Sequence, residues 1–321
     1  MHNMKVAITG VSSRIGAEFV SRMDRDDAVD EIVGIDIVEP KHLSKKLRFI
    51  KRDVRDDRIR GDVQGCDALA HLAFIYQPPL PPQEQVYAIN VDGSRNIFDS
   101  AIGARVGKIV FVSSVAAYGS FSDNPVPISE EHPIRLMTPP FYYNECKYRV
   151  ERYLDELEAT HKELVVTRLR PCTVASRSFS HVLNRRIYFD PCPEVPVQFV
   201  WIDDVVEAFF LAMIKHAPGA FNIAGDSPLH WREIAAIAGR RCLTIPYRAA
   251  LWLTETTFAL GIQKNVPPGW IRMSRYPVIL DCTKAKRVLG WAPRYDTGGA
   301  IKEFFEHQRQ ASSEVGSTRL E

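Results

Sequence analysis

A strand-length apolar run, Val6-Ala7-Ile8, passes directly into Thr9-Gly10-Val11-Ser12-Ser13-Arg14-Ile15-Gly16. A glycine-bearing turn between a strand and a helix opens a parallel βαβ unit and limits the folds available to the chain. Gly10 permits the tight turn and Gly16 lets the helix lie close on the strand; Ser13 stands where the usual pattern has its middle glycine. The alternation then continues. Apolar runs predict strands at residues 5–9, 31–36, 47–50, 67–73, 108–113 and 164–169, and amphipathic stretches predict helices at 15–23, 84–104 and 143–160. Strands alternating with helices need crossover connections, so the expected fold class is α/β, a doubly wound parallel sheet with helices on both faces. The rhythm breaks after Pro171. Residues 176–197 read as irregular, a helix is expected at 204–215, a strand at 220–224, and a frayed Ser/Thr-rich end.

Composition removes several function classes. The 321 residues carry 41 basic and 39 acidic side chains, a net charge of +2, so no strong field invites nucleic acid or a membrane surface. The six cysteines are scattered without a C-x-x-C pair, and the nine histidines show no metal spacing, so neither a metal nor a disulfide framework is expected. No stretch reaches the apolar length of a membrane span. The first residues lack a charged leader ahead of a long apolar run, so a cytoplasmic protein with reduced thiols is expected.

The Gly10–Gly16 turn, at the positive end of a helix, suits a pyrophosphate. Asp36 ends the second strand about 20 residues further on, where a carboxylate accepts ribose hydroxyls and repels a 2′-phosphate. NAD is therefore expected over NADP, although Arg14 has the reach for a 2′-phosphate. This is the beginning of a Rossmann domain, expected over residues 1–172 with about 200–226. Residues 173–199 and 227–321 then form a smaller, non-contiguous substrate-binding region.

From here the chain resembles the extended short-chain dehydrogenase/reductase family, also called the NAD-dependent epimerase/dehydratase family. The likeness rests on motifs in order. Asp53-Val54 resembles the family's adenine contact. His71-Leu72-Ala73-Phe74 resembles its fourth-strand motif beside the cofactor, and Asn90 to Asn96 its helix signature. Val112-Ser113-Ser114-Val115-Ala116-Ala117-Tyr118-Gly119 resembles the fifth strand with its catalytic serine. Tyr143-Asn144-Glu145-Cys146-Lys147 matches Tyr-x-x-x-Lys, and Arg170-Pro171 the turn after the sixth strand. Trp201-Ile202-Asp203-Asp204-Val205 and Lys286 to Pro293 match late landmarks. The resemblance implies a cofactor set of Gly10, Ser13, Arg14, Ile15, Gly16, Asp36, Asp53, Val54, Leu72, Ala73, Phe74, Asn90, Tyr143, Lys147 and Pro171.

Tyr143 and Lys147 lie four apart in a helical stretch and share a face. A free phenol has a pKa of about 10, which a neighbouring ammonium lowers. Tyr143 is therefore expected to be the general acid/base, tuned by Lys147, with Ser114 orienting the reacting oxygen; by resemblance Lys147 also holds the nicotinamide ribose. Asn90 is expected to order either active-site water or its own helix.

Sugar-dehydrating members carry Asp-Glu just after the catalytic serine, where this chain has Val115 and Ala116, so dehydration is not expected. Nucleotide-sugar members carry an asparagine at the Thr173 position and an arginine at the Val197 position. Arg185 and Arg186 offer substitute charge, and Tyr188, Phe189 and Phe199 offer an apolar lining; a solvated loop and core packing explain both sets as well. Three readings stand: an NAD-dependent dehydrogenase or reductase of a small hydroxy or keto compound, a nucleotide-sugar 4-epimerase, and a dinucleotide-sensing binding protein without turnover. By resemblance, residues 84–104 and 143–160 pair across a homodimer.

Overall fold

The computed structural model describes residues 3–41, 44–177 and 183–317. The chain opens with β1 (Met4–Thr9), α1 (Arg14–Asp24), β2 (Val29–Asp36), β3 (Leu47–Lys51), α2 (Ile59–Asp62) and β4 (Ala68–His71). There follow α3 (Gln83–Tyr87), a π-helical turn (Ala88–Asp92), α4 (Gly93–Gly103), β5 (Lys108–Val112), a 3₁₀ turn (Val115–Tyr118), α5 (Tyr142–Thr160) and β6 (Val165–Pro171). Every predicted strand and helix of this half is present, with ends shifted by a residue or a few, as fraying ends allow.

The second half holds β7 (Thr173–Ala175), β8 (Ile187–Asp190), β9 (Phe199–Trp201), α6 (Ile202–Ile214) and β10 (Gly219–Ile223). After these come α7 (Trp231–Ala238), β11 (Arg241–Thr244), α8 (Tyr247–Ala259), α9 (Pro268–Met273), a π-helical turn (Ala285–Leu289) and α10 (Thr297–Ser317). The main sheet has seven strands in the order β10-β6-β5-β4-β1-β2-β3, and every pair in it is parallel.

Side chains alternate across each strand, so one strand feeds two cores. Val6 and Ile8 face the side covered by α1 and α6, where Phe19 and Phe209 meet at 5.8 Å between ring centroids. Ala7, Leu69, Ile109 and Phe111 face the side of α4 and α5, against Ile97, Val150 and Leu154. Each of these valine, leucine, isoleucine and phenylalanine side chains contributes about 1.5–3 kcal/mol on burial.

Two expectations for the second half need correction. Residues 176–197 are not wholly irregular, because β8 forms there and pairs in parallel with β11. Its pattern is inverted: Ile187 and Phe189 face solvent while Tyr188 and Asp190 are buried, so apolar alternation does not mark a buried face. The Ser/Thr-rich end is helical as far as Ser317, and residues 318–321 lie outside the described part. Among the described residues no helix is long and apolar enough to cross a membrane, and no group of His, Cys, Asp and Glu is placed to hold a metal.

Candidate active site

The turn after β1 is built by exclusion of side-chain atoms. Gly10 has φ +76°, and a Cβ there would stand 2.6 Å from the Ala73 nitrogen. A Cβ on Gly16 would lie 2.0 Å from the Gly10 carbonyl oxygen. Ser13, in place of the middle glycine, has φ −68° and ψ 162°, which any L-residue adopts, and its Oγ accepts the Gly16 N–H at 3.0 Å. The substitution is thus an N-cap: it satisfies one of the helix's otherwise open N–H groups. At the end of β2, the Asp36 carboxylate accepts the Ser12 N–H at 2.9 Å and the Val38 N–H at 3.1 Å, fixing it beside the turn. Arg14 donates to Gln77 at 3.1 Å and reaches the Tyr76 hydroxyl at 3.5 Å, so its guanidinium is directed to the loop after β4.

That loop is held from beneath. His71 is fully buried between the Thr9 hydroxyl, 2.7 Å away, and the Ser94 hydroxyl, 2.8 Å away. Burial pushes its pKa down to about 3, so it is neutral. Leu72 donates its N–H to the Thr9 carbonyl at 3.1 Å. Asn90 accepts the Ile75 N–H at 2.9 Å and donates to the Ile75 carbonyl at 2.7 Å. Its amide fastens the loop carrying Ala73 and Phe74. Asp53 is gripped by Arg55 at 2.6 and 2.9 Å, while the buried Val54 packs where a side chain on Gly93 would go. Pro171 closes β6 opposite Ile223.

Ser114 leaves β5 in an extended conformation, and its Oγ accepts the Ala116 N–H at 3.1 Å. Asn144, in the first turn of α5, donates to the Ala116 carbonyl at 2.7 Å and to the Arg135 carbonyl at 2.9 Å. This clamp brings α5 to the end of β5, where Ser114 is near enough to the Tyr143 phenol to favour its ionised form. One turn on, Lys147 is buried; its Nζ donates to the Val112 carbonyl at 2.5 Å and sits 3.3 Å from the Phe74 ring centroid and 5.7 Å from that of Tyr143. Another turn on, Glu151 accepts from Arg170 Nε at 2.9 Å and from the Ser113 hydroxyl. Arg170 donates onward to the Tyr118 hydroxyl at 2.8 Å. Tyr143, Lys147 and Glu151 thus run down one face of α5 onto a buried ion pair.

The electrostatics depart from the expected tuning. Burial raises the Tyr143 pKa above that of a free phenol and outweighs the opposing effect of Ser114. Burial also drives the Lys147 ammonium well below its usual range. The phenol is therefore held protonated, in the proton-donating form. Desolvation acts on both groups, and Lys147 Nζ is engaged by Phe74 and the Val112 carbonyl.

A ring enclosure around Tyr143 escapes sequence reading. Its ring lies 5.4 Å from Tyr76, 6.0 Å from Phe74, 6.3 Å from Phe141 and 5.5 Å from Trp270, between centroids. Trp270 comes from α9, and no spacing rule links it to Tyr143. The one local sign is Gly269, where a Cβ would fall 2.0 Å from the Phe141 ring. The aromatics expected to line a pocket go elsewhere: Tyr188 and Phe199 pack on Trp231, and Phe189 faces solvent. Arg185 and Arg186 are exposed, and Val197 bridges Leu229 through its backbone.

Known proteins share this arrangement of elements. The chain is 23% identical over 341 residues to a UDP-glucose 4-epimerase of Lactobacillus helveticus, covering 91% of this chain and 93% of the other. It is 24% identical over 306 residues to a putative dihydroflavonol 4-reductase of Synechocystis, covering 88% of each. The crystal structure of a Thermotoga maritima UDP-glucose 4-epimerase with UDP-glucose superposes with a TM-score of 0.75 at 21% identity, over 96% of this chain and 99% of that one. The NAD dependent epimerase/dehydratase family matches residues 6–224, and the chain belongs to that family.

Proposed function

We propose that the chain is an NAD-dependent oxidoreductase that interconverts a secondary alcohol and a ketone on a small substrate. The observation that carries this reading is the placement of Tyr143 and Lys147 one turn apart on α5, which Asn144 clamps to the Ala116 carbonyl just after Ser114 at the end of β5. NAD fits the residues present: the turn admits no Cβ at Gly10 or Gly16, and Asp36 offers a fixed carboxylate beside it. When bound, NAD supplies the hydride acceptor in one direction and the donor in the other. The Gly10–Gly16 turn, with Ser13, Arg14 and Ile15, receives the diphosphate, and Asp36 the adenosine ribose hydroxyls. Asp53 and Val54 flank the adenine, Leu72, Ala73, Phe74, Asn90 and Pro171 border the nicotinamide half, and Lys147 holds the adjoining ribose.

At the reacting carbon, Ser114 orients the substrate oxygen and Tyr143 moves the proton on that oxygen. Protonated Tyr143 donates its proton as a ketone is reduced and is left as the phenolate; in the oxidation direction that phenolate takes the alcohol proton. The rings of Phe74, Tyr76, Phe141 and Trp270 flank the half-buried Tyr143 and reduce the water around its phenol, which strengthens its electrostatic contacts. Residues 1–172 with 200–226 form the dinucleotide half; 173–199 and 227–321 form the substrate half. We also assign the protein to the cytoplasm as a homodimer paired through α3–α4 and α5, which lie side by side.

A second reading, a nucleotide-sugar 4-epimerase, is favoured by the names of the relatives. Release of NADH separates the two: oxidation of an alcohol frees it, whereas epimerisation returns the hydride to the same substrate. The test is NADH absorbance with a panel of alcohols, ketones, free sugars and UDP-sugars. Tyr143→Phe should lower turnover about 10²–10⁴-fold while the melting temperature and NAD affinity stay unchanged. Full activity in that variant would remove Tyr143 from the chemistry.

A further inference from the structure

The helix α8 is apolar on its outward face. Ala249, Trp252, Leu253, Ala259 and Leu260 are exposed at helical spacing, with Trp252 66% and Leu260 69% accessible, and Ile262 beyond the helix end is 72% accessible. No residue of α8 is buried. Two of its three threonine hydroxyls bond to the helix's own backbone: Thr254 donates to the Ala250 carbonyl at 2.8 Å and Thr257 to the Leu253 carbonyl at 2.7 Å, which hides polar groups in a way that suits apolar surroundings. The strand before it repeats the pattern, with Leu243 on β11 and its parallel neighbour Phe189 on β8 both facing out.

The charge of this segment sets it apart. Residues 240–275 carry six basic side chains and one acidic, a net +5 that leaves the remainder of the chain at −3. The acidic residue, Glu255, is paired with Arg272, while Arg241, Arg248, Lys264 and Arg275 are exposed. The near-neutral total conceals this asymmetry, which is why composition argues against a membrane surface. Exposed tryptophan and leucine on a helix, with lysine and arginine in the segments on either side, suit attraction to an anionic lipid interface. A second copy fits less well, because an isologous contact would set the basic face against itself.

We propose that α8, with the outward face of β8 and β11, docks this protein on an anionic lipid surface. The docked face is one helix away from the site. α9 packs on α8, is tied to it by Arg272 and Glu255, and carries Trp270 against Tyr143. Docking therefore sets the lipid surface one helix away from Trp270 and Tyr143.

The experiment is co-sedimentation of the full chain with neutral phosphatidylcholine vesicles and with vesicles containing phosphatidylglycerol, at low and high salt. We expect retention at least about tenfold greater on the anionic vesicles, loss of most of it at high salt, and loss of it in a Trp252→Ser/Leu260→Ser double variant with unchanged melting temperature and NAD binding. Should that variant fail to fold, Arg241→Glu/Arg248→Glu should remove the preference for anionic vesicles. Equal retention on both vesicle types, or none on either, would overturn the proposal. So would a wild-type oligomer that the double variant dissociates without any vesicle binding, which would assign the face to a second copy.

Discussion

The seven-stranded sheet and the α8–β11 segment are made from similar residue types used in opposite ways. In the sheet, alternate side chains enter one of two cores, and beneath it the buried Glu151 is paired with Arg170. In the segment, Trp252, Leu253 and Leu260 face outward, whereas Asp190 on the adjoining β8 is buried and has a carboxylate oxygen without a hydrogen-bond partner. Burial holds the Asp190 carboxyl above its usual pKa. The sheet spends its hydrophobicity on folding; the segment leaves much of its own available to something outside the chain. Hydrophobicity therefore reports structure only where the chain itself supplies the covering surface.

The contrast breaks most severely if a single charge is removed from the sheet half. Glu151→Gln should destabilise the protein by about 3–5 kcal/mol, because it leaves the buried Arg170 guanidinium without a counter-charge. Burial alone would raise the Glu151 pKa, but Arg170 reverses that, and the carboxyl lies below its ordinary value. The stabilisation is thus present at neutral pH, where both folded and unfolded states are ionised, and is lost as pH falls through the carboxylate range. Chemical denaturation of the two proteins at neutral pH measures the difference; a loss below ~1 kcal/mol would mean that the pair is not held as described. Ile8→Ala, which empties a fully buried site in the central strand, should cost about 2–5 kcal/mol in the same assay.

His71 gives the sheet half a second, milder sensitivity to acid. It is neutral when folded, with a pKa near 3, against 6.5 for the free group. Between those values the unfolded chain binds a proton that the folded chain refuses, so stability falls as pH falls. By pH 5 the loss should reach roughly 2 kcal/mol. His132 shifts in the same direction, so the clean measurement is the difference in pH slope between wild type and His71→Gln. Equal slopes would show that His71 takes up its proton without unfolding.

The same contrast explains what was legible in the sequence. The sheet, its crossover helices and the location of Ser114 after β5 and of Tyr143 and Lys147 on one helix could be read because strand periodicity and fixed motif spacing are local. Ser13 looked like a defect and is a cap, since its backbone angles never needed glycine. The direction of the Tyr143 pKa was not legible, because it depends on how completely Phe74, Tyr76, Phe141 and Trp270 surround the phenol. Trp270 reaches that enclosure from a segment with no regular period of its own, and β8 was hidden because its apolar residues face out.

The smallest effect is the sharpest test of the comparison. Leu260→Ala removes the same kind of hydrocarbon as Ile8→Ala, from a residue that is 69% accessible. Little apolar area returns to water on unfolding, and no cavity forms, so stability should change by no more than about 0.5 kcal/mol. If α8 were covered by some other part of this chain in solution, the cost would approach that of a core position. A small change in denaturation accompanied by a clear loss of retention on anionic vesicles would separate the two uses of hydrophobic surface within one polypeptide: Ile8 stabilises the fold, and Leu260 serves a surface that the fold does not provide.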